Sequence, residues 1–245
     1  LEFISQAPGF VQATSHGRAK SLSLHPGAIS PVEGQPRRNS VFILLESTRR
    51  DALSLYEPGR KTTPTLDKLA NELWIFDRTY LPMPATSKAL VSTFCGIYPN
   101  PTVLLTEAVP GSIPARCLPH LLRDVGYESL FLHPAPGADQ LFRTTIKNIG
   151  FDGSKHLEDL ETDGFRRVNY MGSEEATMLA PSEAWVASKQ DAGTPFLLTY
   201  LSMSTHYEYA VPPEEVGNHA PPGEFNRYLS GMRLTDAFLG DVVEM

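Results

Sequence analysis

Three short segments carry side chains that could do chemistry together. The first is Glu46-Ser-Thr-Arg-Arg-Asp51, directly after the apolar run of residues 40–45. A carboxylate closing a buried strand is costly unless it is paired or bound to a cation. Hard divalent cations favour carboxylate oxygens, so Glu46 is a candidate metal ligand. The alternative is a structural pair with Arg49, or a turn cap. The second segment is Pro84-Ala-Thr-Ser-Lys-Ala-Leu90. A hydroxyl at the start of a helix can act as a nucleophile once a base or a metal activates it. The free N–H groups and dipole of that helix end suit an anionic ester. Lys88, two residues on, could hold a phosphate or sulfate oxygen. The alternative is that Thr86 simply caps the helix. The third segment is Ser204-Thr-His-Tyr-Glu208. An imidazole there can bind metal, orient a leaving group or exchange a proton. The alternative for His206 is a surface histidine in a Pro-rich loop.

Elements of alternating type must position these groups. The run from Ser40 to Glu46 reads as a strand buried on both faces of a parallel sheet. Residues 62–70 place Thr and Pro64 ahead of an amphipathic helix. Residues 73–80 suggest a short second strand, and residues 86–95 a helix ended by Gly96. Helices follow at 113–125, 139–149, 182–189 and 225–245, with strands at 127–132 and 195–202. This order predicts an α/β sandwich with a mainly parallel sheet. Ligands of such sheets collect beyond the carboxyl ends of the strands, where all three segments fall.

Bulk properties narrow the class. The chain has 245 residues, 41% hydrophobic and 20% charged, enough for a sizeable core. A net charge of −7 gives no basic footprint for nucleic acid and no polybasic membrane patch. Cys95 and Cys117 form no CxxC pair and no Cys/His cluster, which argues against a zinc finger; Cys95 reads as a small buried hydrophobe. No apolar run reaches the length of a membrane span. Residues 1–39, rich in Gly, Ser and Pro, read as a flexible arm or linker, and residues 40–245 as the ordered portion.

Taken together, the motifs resemble the alkaline phosphatase/sulfatase superfamily. The resemblance rests on the strand ending in Glu46-Ser47-x-Arg49-x-Asp51, then Thr63-Pro64-x-Leu66-Asp67-x-Leu69-Ala70, Phe76-Asp77-x-x-Tyr80, Thr86-Ser87-Lys88 and Gly96-x-Tyr98-Pro99. It implies an alkaline-phosphatase-like three-layer sandwich with a mainly parallel central sheet. Formylglycine sulfatases carry a cysteine ten residues before the Gly of that last turn. Thr86 occupies the position here, and the C-x-P-S-R signature is absent. Threonine resembles the branch of lipoteichoic acid synthases and phosphoethanolamine transferases. The resemblance implies a metal-dependent hydrolase or transferase of sulfate or phosphate esters, small-molecule or lipid-linked. Glu46 and Thr86 would be metal ligands, Thr86 also the nucleophile, and His206 a contact to the phosphorylated group. The cofactor would be a divalent ion: Mn, Mg, Ca or Zn.

The family completes its metal site with an Asp-His pair on a later strand. None of the seven histidines follows an Asp, and the last helix reaches Met245 without a stop signal. The expectation is the N-terminal portion of a longer enzyme, its fold incomplete at the C-terminus and inactive alone, or else a non-catalytic, degenerate relative. Membrane attachment, with the catalytic domain outside the cytoplasm, would come through segments missing from this chain. A sulfatase-type hydrolase using Thr86 or Ser87 unconverted is a further alternative. No G-x-S-x-G elbow is present to support a serine hydrolase.

Overall fold

The computed structural model describes residues 28–101, 105–138 and 141–245. Most of the arm read at residues 1–39 lies outside them. Four strands form one sheet: β1 (Ser40–Leu44), β2 (Glu128–Leu132), β3 (Gly153–Lys155) and β4 (Phe196–Leu201), in the spatial order β1-β4-β2-β3. Every pairing is parallel, as the unbroken apolar strands predict. β4 enters between β1 and β2, with Leu201 opposite Leu44 and Tyr200 opposite Leu132. The carboxyl ends of β1, β4 and β2 therefore lie side by side, and the residues after each strand share one end of the sheet.

Period-2 alternation along buried strands supplies two apolar faces. On one, Leu197, Leu201 and Phe131 pack against α2 (Thr86–Cys95) and α4 (Phe142–Ile149), through Leu90, Val91, Phe94, Phe142, Ile146 and Ile149. On the other, Phe196, Leu198, Tyr200, Leu130 and Leu132 pack against α5 (Leu179–Asp191) and α6 (Glu224–Glu244), through Val186, Phe238 and Val242. The result is helix, sheet, helix. Two short helices complete it: α1 (Pro64–Leu69) and α3 (Leu118–Asp124). Asp236 of α6 accepts the Thr65 and Leu66 N–H groups at 2.8 and 3.2 Å and so pins the start of α1.

Several expectations are corrected. Residues 73–80 form no strand: Trp74, Phe76 and Tyr80 are exposed, and no strand pairs with them among the described residues. The helix expected at 113–125 begins only at Leu118, because Pro114 disfavours helical geometry before it and Pro119 suits a first turn. α4 is described from Phe142; positions 139 and 140 of the expected helix lie outside the described residues. α5 begins three residues before the expected 182 and runs two beyond 189. The strand β3 was not expected; Gly-Ser-Lys has no apolar pattern and gains its place by pairing with β2. Cys95 is not a free buried thiol. It is disulfide-bonded to Cys117, joining the end of α2 to the residue that precedes α3. Gly96 closes α2 as expected, with φ +65° and its N–H on the Ser92 carbonyl.

Candidate active site

β1 delivers Glu46 to the shared end of the sheet. Its backbone is fixed from β4's side: the Glu46 N–H donates to Ser202 Oγ at 2.9 Å, and the Thr205 hydroxyl donates to the Glu46 carbonyl. The following backbone turns sharply, with φ +49° at Ser47. Tyr228 of α6 holds it, accepting the Arg49 N–H at 2.8 Å and donating to the Ser47 carbonyl at 3.1 Å. The pair with Arg49 does not form. Arg49 instead forks onto Asp51, at 2.9 and 2.6 Å. Glu46 is left facing two hydroxyls, with Ser47 Oγ 3.0 Å from Oε1 and Thr86 Oγ1 3.1 Å from Oε2.

Thr86 is the first residue of α2, and Ala85 is the extended residue before it. No side chain caps this helix. The Thr86 hydroxyl is therefore spent on the Glu46 carboxylate, not on the helix backbone. Lys88 is not brought to this place. Its ammonium lies 2.5 Å from Glu107 Oε2, the two side chains being 3% and 4% exposed. Burial pushes the Glu107 carboxyl up, but the hydrogen bonds it receives from Lys88 and Ser87, together with the Lys88 charge, outweigh it and hold the group below the usual range. The physical reason is helix geometry: residues two apart lie about 200° around the axis. With Thr86 on the site, Lys88 points into the protein.

His206 follows β4 and does reach the site. Its Nδ1 donates to the Tyr207 carbonyl at 2.9 Å, and its ring lies against Tyr170 with centroids 5.9 Å apart. A second histidine, which sequence reasoning missed, stands beside it. His133 directly follows β2 and is buried, and its Nδ1 donates to the Leu201 carbonyl at 3.2 Å. Burial pushes its pKa down to about 4, so it is neutral at pH 7 with Nε2 free to accept. Glu46, Thr86, His133 and His206 line one small recess with Phe142, Met171 and Met203. The signal was in the sequence: like Glu46, His133 is a polar residue that closes an apolar strand run. Glu46 and Thr86 also line a cavity of 560 Å³ together with Arg49, Leu81, Pro84 and Thr93.

A family model described as "Sulfatase" matches residues 38–245. The chain belongs to the sulfatase family. Among the proteins that this sulfatase-family chain resembles is "Phosphoglycerol transferase I" of Xanthomonas campestris pv. campestris (strain B100). The two are 28% identical over 228 residues, 85% of this chain and 31% of that protein. "Phosphoethanolamine transferase CptA" of Salmonella typhimurium is 27% identical over 202 residues, 78% of this chain and 32% of that protein. The chain thus spans about a third of the length of the curated relatives it matches. Its fold is alkaline-phosphatase-like, as expected. The lipoteichoic acid synthase LtaP of Listeria monocytogenes superposes with a TM-score of 0.73 at 18% identity, over 84% of this chain and 51% of LtaP. The C-terminal periplasmic domain of EcEptC from Escherichia coli, solved in complex with Zn, superposes with a TM-score of 0.63 at 21% identity, over 86% and 60%.

The donor set of this sulfatase-family chain fits part of a cation shell. Glu46 and Thr86 offer adjacent oxygens, the kind hard divalent ions take. Among the described residues no group of three or more His, Cys, Asp or Glu side chains could hold a metal. The pair would make one side of such a shell.

Proposed function

We propose that this chain is the nucleophile-bearing portion of a metal-dependent transferase or hydrolase of phosphate esters, with Thr86 as nucleophile. The observation that carries this is the Thr86 hydroxyl, uncommitted to its helix and 3.1 Å from the Glu46 carboxylate. Relatives named as phosphoglycerol and phosphoethanolamine transferases support phosphorus over sulfur as the centre attacked, and a lipid-linked phosphodiester as the donor. A divalent cation held by Glu46 and Thr86 would supply positive charge that favours the Thr86 alkoxide.

The chain's own residues account for the rest. Thr86 Oγ loses its proton and attacks phosphorus, forming a Thr–O–P bond. The bond from phosphorus to the leaving alcohol breaks, and its electron pair leaves with that oxygen, which takes up a proton. An acceptor alcohol, or water, then attacks phosphorus and loses its proton; the Thr86 O–P bond breaks, and the Thr86 oxygen leaves with the electron pair and takes a proton back. The first course is transfer and the second hydrolysis. The N–H groups at the start of α2 and the side chain of His206 would bind the non-bridging oxygens. Neutral His133 offers Nε2 to a hydroxyl of substrate or acceptor. Lys88 acts at a distance, by fixing α2 through Glu107.

The Cys95–Cys117 disulfide supports placing this domain outside the cytoplasm, where such bonds persist. The test uses the full-length protein and its Thr86→Ala variant on aryl phosphodiester, aryl phosphate and aryl sulfate. Turnover of the diester that is lost in the variant supports the reading. Preference for the sulfate would move the substrate class. Full activity in Thr86→Ala would sink the assignment, and inactivity of the unsubstituted protein on all three would favour a binding role.

A further inference from the structure

Glu175 is the least expected group in the interior. It stands in a single helical turn (Glu175–Met178) and is 2% exposed. No cation pairs with it among the described residues, although a buried carboxylate ordinarily requires a partner. It is met by neutral donors instead. Oε1 accepts the N–H groups of Met203 and Ser204 at 2.8 and 2.7 Å, and Oε2 accepts the Ser204 hydroxyl at 2.5 Å. The Thr235 hydroxyl of α6 lies 3.4 Å from Oε1. Hydrogen bonds to an ionised acceptor are about twice as strong as neutral ones, so this carboxylate is a firm anchor for the turn at 203–204.

That turn reaches the candidate site in both directions. His206 donates its N–H to the Met203 carbonyl at 3.0 Å, and Met203 lines the recess beside His206. Ser202 and Thr205, on either side of the anchored pair, hold the backbone of Glu46. α6 leaves the turn no slack: a Cβ at Gly231 would come within 2.5 Å of the Ser204 carbonyl oxygen. We infer that Glu175 is a positioning residue, whose carboxylate fixes the turn at residues 202–206 and thereby aims His206 into the recess. The inference rests on the reading of the site above. An amide would not serve equally: Gln keeps one acceptor oxygen for the two N–H groups, but its NH2 forces the Ser204 hydroxyl to turn from donor to acceptor, and the charge that strengthens all of these bonds is lost.

The test is a double-mutant cycle in the full-length protein, with an aryl phosphodiester as substrate. Glu175→Gln, His206→Ala and the double variant are compared in kcat and KM, with binding of glycerol phosphate by calorimetry as a readout besides turnover. Misplacement of a contact group by an ångström costs up to ~100-fold, so each single variant is expected to lose about 10- to 100-fold in kcat/KM. In the His206→Ala background, Glu175→Gln is expected to cost much less, in kcat/KM and in glycerol phosphate affinity alike. Independent, multiplicative losses would overturn the inference and leave Glu175 as ordinary core. If Glu175→Gln does not fold, Ser204→Ala, which removes one of the bonds and keeps the charge, takes its place in the cycle under the same criteria. Wild-type activity in His206→Ala would mean that the site reading itself has failed, a result distinct from a cycle without coupling.

Discussion

Replacing Lys88 by Met separates two roles for this residue. Its ammonium is 2.5 Å from Glu107, and both side chains are almost fully buried. Removing the cation strands a carboxylate in the interior, and breaking one half of such a pair costs about 3–5 kcal/mol. For a domain of this size each kcal/mol is worth roughly 2–4 °C, so the unfolding midpoint of the full-length protein should fall by roughly 6–20 °C. Removing both charges should recover most of the loss, because apolar pairs of similar volume replace buried ion pairs well. Lys88→Met/Glu107→Leu is therefore predicted to be more stable than Lys88→Met alone, and to turn over substrate below its midpoint. Differential scanning calorimetry and diester turnover measure the two effects. A Lys88→Met protein that melts like the wild type but has lost activity would refute this reasoning and return Lys88 to direct contact with the ester.

Two further outcomes follow from the fold. The disulfide closes a loop of 22 residues, so Cys117→Ser, or reduction, should lower stability by about 3 kcal/mol in the chain-entropy account; denaturant midpoints with and without reductant check this, and an unchanged midpoint would contradict it. His156 is fully buried, and burial with the nearby Arg143 charge lowers its pKa to about 4. The folded value is below the ordinary 6.5, so the unfolded chain binds the proton more readily. The stability this neutral ring contributes is present above pH 6.5 and is lost as pH falls toward 4. His156→Asn should flatten the dependence of unfolding free energy on pH across that window, and equal slopes in the two proteins would exclude the mechanism.

Where the chain announces its chemistry, it does so at element ends. Glu46 after an apolar run and Thr86 before a helical one were legible because burial and helix geometry make both positions unusual. Their meeting was not legible, since it depends on α2 crossing the end of β1. His133 carried the same signal as Glu46, but only the insertion of β4 beside β2 shows that it faces the same recess. Lys88 is two residues from Thr86 but about 200° from it around the helix, so nearness in sequence is not nearness on the helix surface. The disulfide was hidden because a sequence separation of 22 says nothing about whether two sulfurs meet. Residues 73–80 misled in the opposite sense: apolar and aromatic side chains suit a strand, but a strand also needs a partner. Glu175 gave no sign at all, for its donors are two backbone N–H groups and a hydroxyl of a distant turn, with a further hydroxyl from α6.

The central claim is that Thr86 attacks phosphorus, and trapping the covalent intermediate tests it most directly. The full-length protein would be mixed with a phosphodiester donor, quenched in acid, digested and read by mass spectrometry. The account predicts a phosphoryl-ester adduct on the peptide containing Thr86, absent from Thr86→Ala. An adduct on another residue, or undiminished turnover by Thr86→Ala, would contradict it.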